Sequence, residues 1–138
     1  ENCPIAIYHT KTLSELQERY AKEGIAFRGY VSTSKATEKS VAAFKAKFVI
    51  PFVIEPDASL SKAHHFGAKV TPEVVVLDRD GKTLYRGRID NTYADFGKRR
   101  RVTTSHDLRD VLEALAKGEA VEPKSTEAIG CFIPFTKF

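Results

Sequence analysis

From residue 12 to residue 23 the apolar positions Leu13, Leu16 and Tyr20 recur at spacings of three and four, the stripe of an amphipathic helix. Gly24 stops it. Upstream, Pro4 suits the first turn of a helix, where its missing N–H costs nothing. The run Ile25-Ala26-Phe27-Arg28-Gly29-Tyr30-Val31 then reads as a strand. Helical spacing returns with Val41, Phe44 and Phe48 behind a cap at Ser34 or Thr37, and these rings read as core. Pro51-Phe52-Val53-Ile54 is a short strand ended by Glu55-Pro56-Asp57, and Asp57 or Ser59 opens a brief helix that stops at Gly67.

The second half repeats the alternation. Val74-Val75-Val76-Leu77, entered through Thr71-Pro72, reads as a buried strand. Asp78-Arg79-Asp80-Gly81 turns it, and residues 83–89 return as its hairpin partner. A polar loop covers 90–104; Thr104 or Ser105 then caps a last helix with the stripe Leu108, Val111, Leu112 and Leu115, ended by Gly118. The order of helix, strand, helix, strand, short helix, hairpin and helix predicts an α/β fold, a mixed sheet covered on both faces. Residues 1–117 make one domain, and 118–138 a tail without periodicity whose apolar end docks on it.

With 42% hydrophobic and 29% charged residues, composition places the chain among ordinary globular proteins. No apolar run approaches the roughly 18 residues of a membrane span, so no transmembrane segment is expected. No charged-then-apolar leader is visible, so no signal peptide is expected in this chain. The chain has no methionine, which leaves a removed export signal open. Much of the net charge of +4 comes from Lys98-Arg99-Arg100-Arg101. Such a run can touch phosphate or an acidic membrane, but no aromatic-interleaved basic face accompanies it. It reads as a solvated loop, and no nucleic-acid partner is expected.

The chemistry concentrates at two cysteines, Cys3 and Cys131. An even count permits one disulfide without demanding it. If formed, it closes most of the chain into one loop, worth about 4–5 kcal/mol on the chain-entropy account, and points to an oxidising compartment. Cys3 stands immediately before a helix, where the helix dipole favours thiolate and lowers the thiol pKa.

Cys3-Pro4, Val70-Thr71-Pro72-Glu73, Asp78-Arg79-Asp80-Gly81 and Leu84-Tyr85-Arg86-Gly87-Arg88-Ile89-Asp90, in that order, resemble the thioredoxin superfamily. The nearer resemblance is to its redoxin branch, close to the alkyl hydroperoxide reductase and thiol-specific antioxidant proteins and to bacterial thiol-disulfide oxidoreductases. It spans about residues 2–117. Residues 90–97, Lys98-Arg99-Arg100, His106-Asp107-Leu108 and Ala128-Ile129-Gly130-Cys131 resemble a bacterial redoxin subgroup in which a Cys-Pro and a late Gly-Cys recur together. The resemblance implies a thioredoxin-like mixed sheet flanked by helices, a cis Pro72 against the reactive sulfur, and a place in the bacterial envelope or periplasm. Two features depart from the pattern. Ala6 stands where the second cysteine of Cys-x-x-Cys would be. The strand expected before the first helix is missing, so either the protein is longer or something else fills that sheet position.

The leading expectation is thiol-disulfide redox chemistry, with Cys3 as nucleophile and Cys131 as resolving thiol. Its partners would be protein thiols or disulfides and an external electron donor. The alternative is a non-catalytic binding or structural module with a Cys3–Cys131 bridge. Peroxidase chemistry ranks lower, because Glu1 and Asn2 stand where an activating threonine would, with Arg28, Arg86 and Arg88 as the arginines on offer. Copper binding ranks last: His9, His64, His65 and His106 are scattered, and the chaperone spacing of two cysteines is lacking. No metal or other cofactor is expected. Thr71 and Pro72 are the substrate-side candidates, their backbone offering a pairing edge for an extended strand beside Cys3; equally, they are fold determinants.

Overall fold

The computed structural model describes residues 3–135. Helix α1 runs Pro4–Tyr20 without a break, joining the Pro4 turn to the later stripe. Its buried side chains, Ile5, His9, Leu16 and Tyr20, lie four and seven apart on one face. The 3-10 turn Ala21–Glu23 and Gly24, at φ +83°, end it. Strand β1 is Arg28–Val31 and β2 is Val53–Pro56, parallel, with Arg28 opposite Val53 and Val31 opposite Pro56. β1 is shorter than the expected span 25–31 and β2 is shifted from 51–54, the strands ending where parallel pairing ends.

Helix α2, Glu38–Lys47, starts at Thr37, not Ser34. Ser40 N–H donates to Thr37 Oγ1 and Thr37 N–H to Ser40 Oγ, each at 3.0 Å, a reciprocal cap. It ends where Ile50 N–H reaches back to Lys45 O at 3.0 Å, a turn that forces Val49 to φ +51°. Val41 and Ile50 take the buried places here. Phe44 and Phe48, expected in the core, are only half-buried, as is Phe52; the rings pack tilted against each other, with centroids 4.9 Å apart for Phe44–Phe48 and 5.8 Å for Phe27–Phe52.

Helix α3, Ser61–Phe66, begins after Leu60 at φ +64°. Asp57, not the adjacent residue, satisfies its first turn: Oδ1 accepts from Lys62 N–H at 3.1 Å and Oδ2 from Ala63 N–H at 3.0 Å. Strands β3 (Val70–Thr71), β4 (Val74–Leu77) and β5 (Thr83–Gly87) follow. The β4–β5 hairpin is closed by Asp78, whose Oδ1 accepts from Asp80 and Lys82 N–H at 2.9 Å each.

The stretch expected as a plain polar loop contains a second hairpin, β6 (Tyr93–Asp95) and β7 (Lys98–Arg99). Its basic run is partly engaged: the Arg99 guanidinium lies 5.3 Å from the Tyr8 ring centroid and Arg100 Nη1 donates to Asn91 O at 2.7 Å. Helix α4, Asp107–Ala116, has His106 at its cap position; Ser105 instead donates to Asp107 Oδ1 at 2.7 Å. The tail returns twice, as β8 (Lys124–Ser125) parallel to β5 and as β9 (Cys131–Phe132) antiparallel to β3.

The architecture is therefore mixed α/β. Among the described residues the strands form four small sheets, β1-β2, β3-β9, β4-β5-β8 and β6-β7. One core joins Leu16 and Tyr20 of α1, Val76 and Tyr85 of the hairpin, Ile89, and Leu108, Val111 and Leu112 of α4. Tyr20 Oη donates to Glu113 Oε1 at 2.5 Å, tying α1 to α4. The fully buried Tyr85 ties the tail to β5: it donates to Arg88 O and shares a bond with Thr126 Oγ1, both at 2.6 Å, while Thr126 Oγ1 accepts from Arg88 N–H at 3.0 Å. Among the described residues, no helix is long and apolar enough to cross a membrane.

A disulfide between a helix start and a returning strand

Cys3 is the cap residue of α1, in extended conformation at φ −74° and ψ 117°, with Pro4 in the first helical position. No acidic side chain stands in that first turn, so nothing from the helix itself offsets the partial positive charge of its free N–H groups. Cys3 is buried, at 6% exposure. It is bonded to Cys131 across a sequence separation of 128, with the two Cα atoms 5.9 Å apart.

The partner side of the bond is built from the loop that carries β3. Thr71–Pro72 is a cis peptide, as the family resemblance implies. Glu73 folds back over this loop, its Oε1 accepting from Lys69 N–H at 2.8 Å and Val70 N–H at 3.4 Å. The other side of the loop is taken by β9, with Thr71 opposite Cys131, Val70 opposite Phe132, and Ile133 N–H donating to Lys69 O at 2.9 Å. Side chains alternate along this strand: Ile133 is buried, Phe132 is 86% exposed.

Two contacts fix how closely the pieces meet. Cys3 Sγ lies 3.2 Å from the Thr71 carbonyl oxygen. A disulfide sulfur carries no proton, so this becomes a hydrogen bond only when the pair is reduced. Gly130, one residue before Cys131, passes so near the β3 turn that a Cβ there would collide with Thr71 O and C and stand 3.1 Å from Pro72 N. Only glycine fits.

Of the residues singled out from sequence, the fold thus brings Cys3, Cys131, Thr71 and Pro72 together. The arginines considered for peroxide activation are engaged elsewhere: Arg28 Nη1 with Glu55 Oε1 at 2.9 Å, and Arg88 Nε with Asp107 Oδ2 at 2.5 Å. Arg86 lies against Gly67. Glu1 and Asn2 fall outside the described residues. The histidines are dispersed, His64 and His65 in the last turn of α3 and His106 at the start of α4. Among the described residues, no three histidine, cysteine or acidic side chains gather as a metal site.

His9 is the surprise among them. It is 4% exposed, its Nε2 3.9 Å from Asp90 Oδ1 and its Nδ1 without a hydrogen-bond partner among the described residues. Burial lowers its pKa below the usual histidine value, against the smaller pull of the Asp90 charge. The four-residue step from Ile5 was the available signal for its burial. Gly130 was visible in sequence only as part of the late Gly-Cys of the resemblance; its steric role was not, since nothing local marks a glycine that is needed for a contact nearly 60 residues away in the chain, at Thr71.

The fold and site together define an α/β protein whose helix-start thiol is closed by a strand from its own tail. No protein-family model matches the chain, and no curated protein matches it. Two solved structures are similar over its whole length. One is a hypothetical protein from Sinorhizobium meliloti, 28% identical, with a TM-score of 0.83, covering 99% of this chain and 76% of that one. The other is an uncharacterized conserved protein from Geobacillus kaustophilus, 24% identical, with a TM-score of 0.86, covering 100% of this chain and 74% of that one. They share the fold, and neither name carries an activity.

Proposed function

We propose that this is a thioredoxin-like thiol-disulfide redox protein in which Cys3 is the nucleophile and Cys131 the resolving thiol. One observation carries the reading: the cysteine at the start of α1 is bonded to the second cysteine, on a two-residue strand paired with β3 through a short ladder. A short edge strand is the kind of element that detaches once its covalent tie is cut. The end of α1 favours thiolate, whereas burial and the nearby Thr71 carbonyl favour the neutral thiol. Withdrawal of β9 would hydrate Cys3 and leave the helix end as the dominant influence. Its partners are then protein thiols or disulfides with an external dithiol donor. Such a disulfide fits an oxidising setting such as a bacterial envelope.

The competing reading is a structural bridge. It is favoured by the 6% exposure of Cys3 and by the burial of Ile133, which together make the bond a clamp on the tail. Thiol titration under graded dithiol reductant separates the two. A midpoint above about −300 mV supports the redox pair, and resistance to reduction below that value supports the clamp. Cys3→Ser gives an independent answer: loss of disulfide-reductase activity with the fold intact supports catalysis, whereas a lowered Tm with no activity to lose supports the bridge.

A further inference from the structure

We infer that the β3 edge beside Cys3 is a strand-binding site selective for an extended polypeptide in which glycine immediately precedes the reacting cysteine. The inference rests on the thiol-disulfide reading above and names the substrate class of that site. The chain's own Gly130-Cys131 is the built-in occupant, and its geometry shows what the edge accepts.

Four positions of the occupant are readable. Cys131 faces Thr71 in the ladder and bonds Cys3, which sets the register of any thiol that is to reach the same sulfur. The residue before it has no room for a side chain, because a Cβ at Gly130 would strike the Thr71 carbonyl. That obstacle is backbone, in a loop whose preceding Lys69 and Val70 N–H groups are held by the Glu73 carboxylate, so it cannot swing aside as a flexible side chain would. The residue after the cysteine points to solvent, Phe132 being 86% exposed, and is not selected. The next, Ile133, is 7% exposed and calls for an aliphatic side chain. The edge thus reads glycine, cysteine, any residue, aliphatic.

A client and the tail must use this edge by turns. In the reduced protein, Cys3 thiolate attacks a client disulfide, forming a Cys3–client bond and releasing the other client sulfur as a thiolate that takes up a proton. The Cys131 thiolate then attacks Cys3 Sγ, restoring the intramolecular disulfide and expelling the client thiolate. The client disulfide gains two electrons, the cysteine pair loses two, and a dithiol donor must return them. Because Cys131 reaches Cys3 only by laying β9 on the edge, resolution and client release are one event.

The test uses the full chain carrying Cys131→Ser, reduced, against two seven-residue peptides that copy residues 128–134. Each peptide's cysteine is activated as its thionitrobenzoate mixed disulfide, and the second has valine in place of the glycine. The expected result is chromophore release at Cys3 at least about tenfold faster from the glycine peptide, as a steric cost of that size demands. Equal rates overturn the selectivity and leave the redox reading standing. Release from a small aromatic disulfide but from neither peptide overturns the edge as a polypeptide site. No release from any of the three overturns this inference and the redox reading together. In the otherwise unaltered chain, Gly130→Val should let the Cys3–Cys131 bond be reduced at about tenfold lower dithiothreitol; an unchanged midpoint counts against the inference.

Discussion

Thr71 faces Cys131 across the β3–β9 ladder while its carbonyl oxygen lies 3.2 Å from the sulfur of Cys3. One residue therefore touches both halves of the disulfide, through its backbone alone. The identity of the Thr71 side chain matters less to the site than the path of its main chain, and that path is held by Glu73.

Glu73→Ala should loosen the β3 turn. Two N–H groups, of Lys69 and Val70, lose a carboxylate acceptor, costing about 1–2 kcal/mol in urea unfolding. Glu73→Gln keeps an acceptor oxygen in place and should recover most of that loss. If Ala and Gln behave alike, the hydrogen bonds are not what holds the turn.

Val49→Gly should stabilise the protein. Gly67 and Gly118 hold the equivalent left-handed place after α3 and α4, at φ +73° and +74°, but α2 uses a β-branched residue there at φ +51°. Val49 is 80% exposed, so little packing is lost with its side chain. Relief of the left-handed penalty, less the added unfolded-state freedom of glycine, should raise stability by about 0.5–1 kcal/mol. Thermal unfolding reads the gain directly, and a lower Tm would show that Val49 packs more than its exposure implies.

His9 should make stability depend on pH near neutrality. Its folded pKa lies below the unfolded value of about 6.5, so below that pH the unfolded chain binds more protons. Stability is complete above about pH 6.5 and falls as the pH drops from there toward the lowered folded pKa. His9→Leu should flatten the Tm profile between pH 7 and about 5. A slope that survives the substitution would have to come from another group.

A second loss should come in acid, from Asp57 and Asp107. For both, burial works to raise the pKa and is outweighed: at Asp57 by the N–H groups of Lys62 and Ala63 and the hydroxyls of Ser32 and Ser61, at Asp107 by Arg88, Ser105 and Lys124. With folded pKa values held low, their stabilisation is present above about pH 3.9 and disappears as the pH falls through the folded values. Arg88→Leu strands the buried Asp107 carboxylate at neutral pH and should cost about 2–3 kcal/mol, discounted for the 31% exposure of the arginine side chain. The same variant should unfold at higher pH on the acid side, since Asp107 then holds its proton more readily.

Legibility from sequence followed the range of the interactions involved. Helices α2 and α4 and the β4–β5 hairpin are set by periodicity, by the Thr37 cap of α2 and by an Asp-Gly turn, all within a few residues, and were legible at nearly their final positions, although the cap expected for α4 at Thr104 or Ser105 is not used. Strands β8 and β9 are two residues each and take their conformation from distant partners upstream, Tyr85 opposite Lys124 and Arg86 opposite Ser125, Val70 opposite Phe132 and Thr71 opposite Cys131. No local pattern announces such strands. The β6–β7 hairpin hid in a polar stretch for the same reason, its residues being held by Asn91, Thr92 and Tyr8 instead of by an apolar face. At the site, the cysteines and the Thr-Pro were conspicuous by type. What joins them, the close pass of Gly130 and the back-folded Glu73, is a matter of distance in space.

The bond between positions 3 and 131 turns all but the extremities of the folded chain into a covalent ring. A single proteolytic cut in the exposed segment of residues 94–102 would leave an oxidised molecule that still migrates as one piece, and a reduced one that falls into two. The oxidation state of this one pair thus decides whether the two fragments of a nicked chain remain covalently joined.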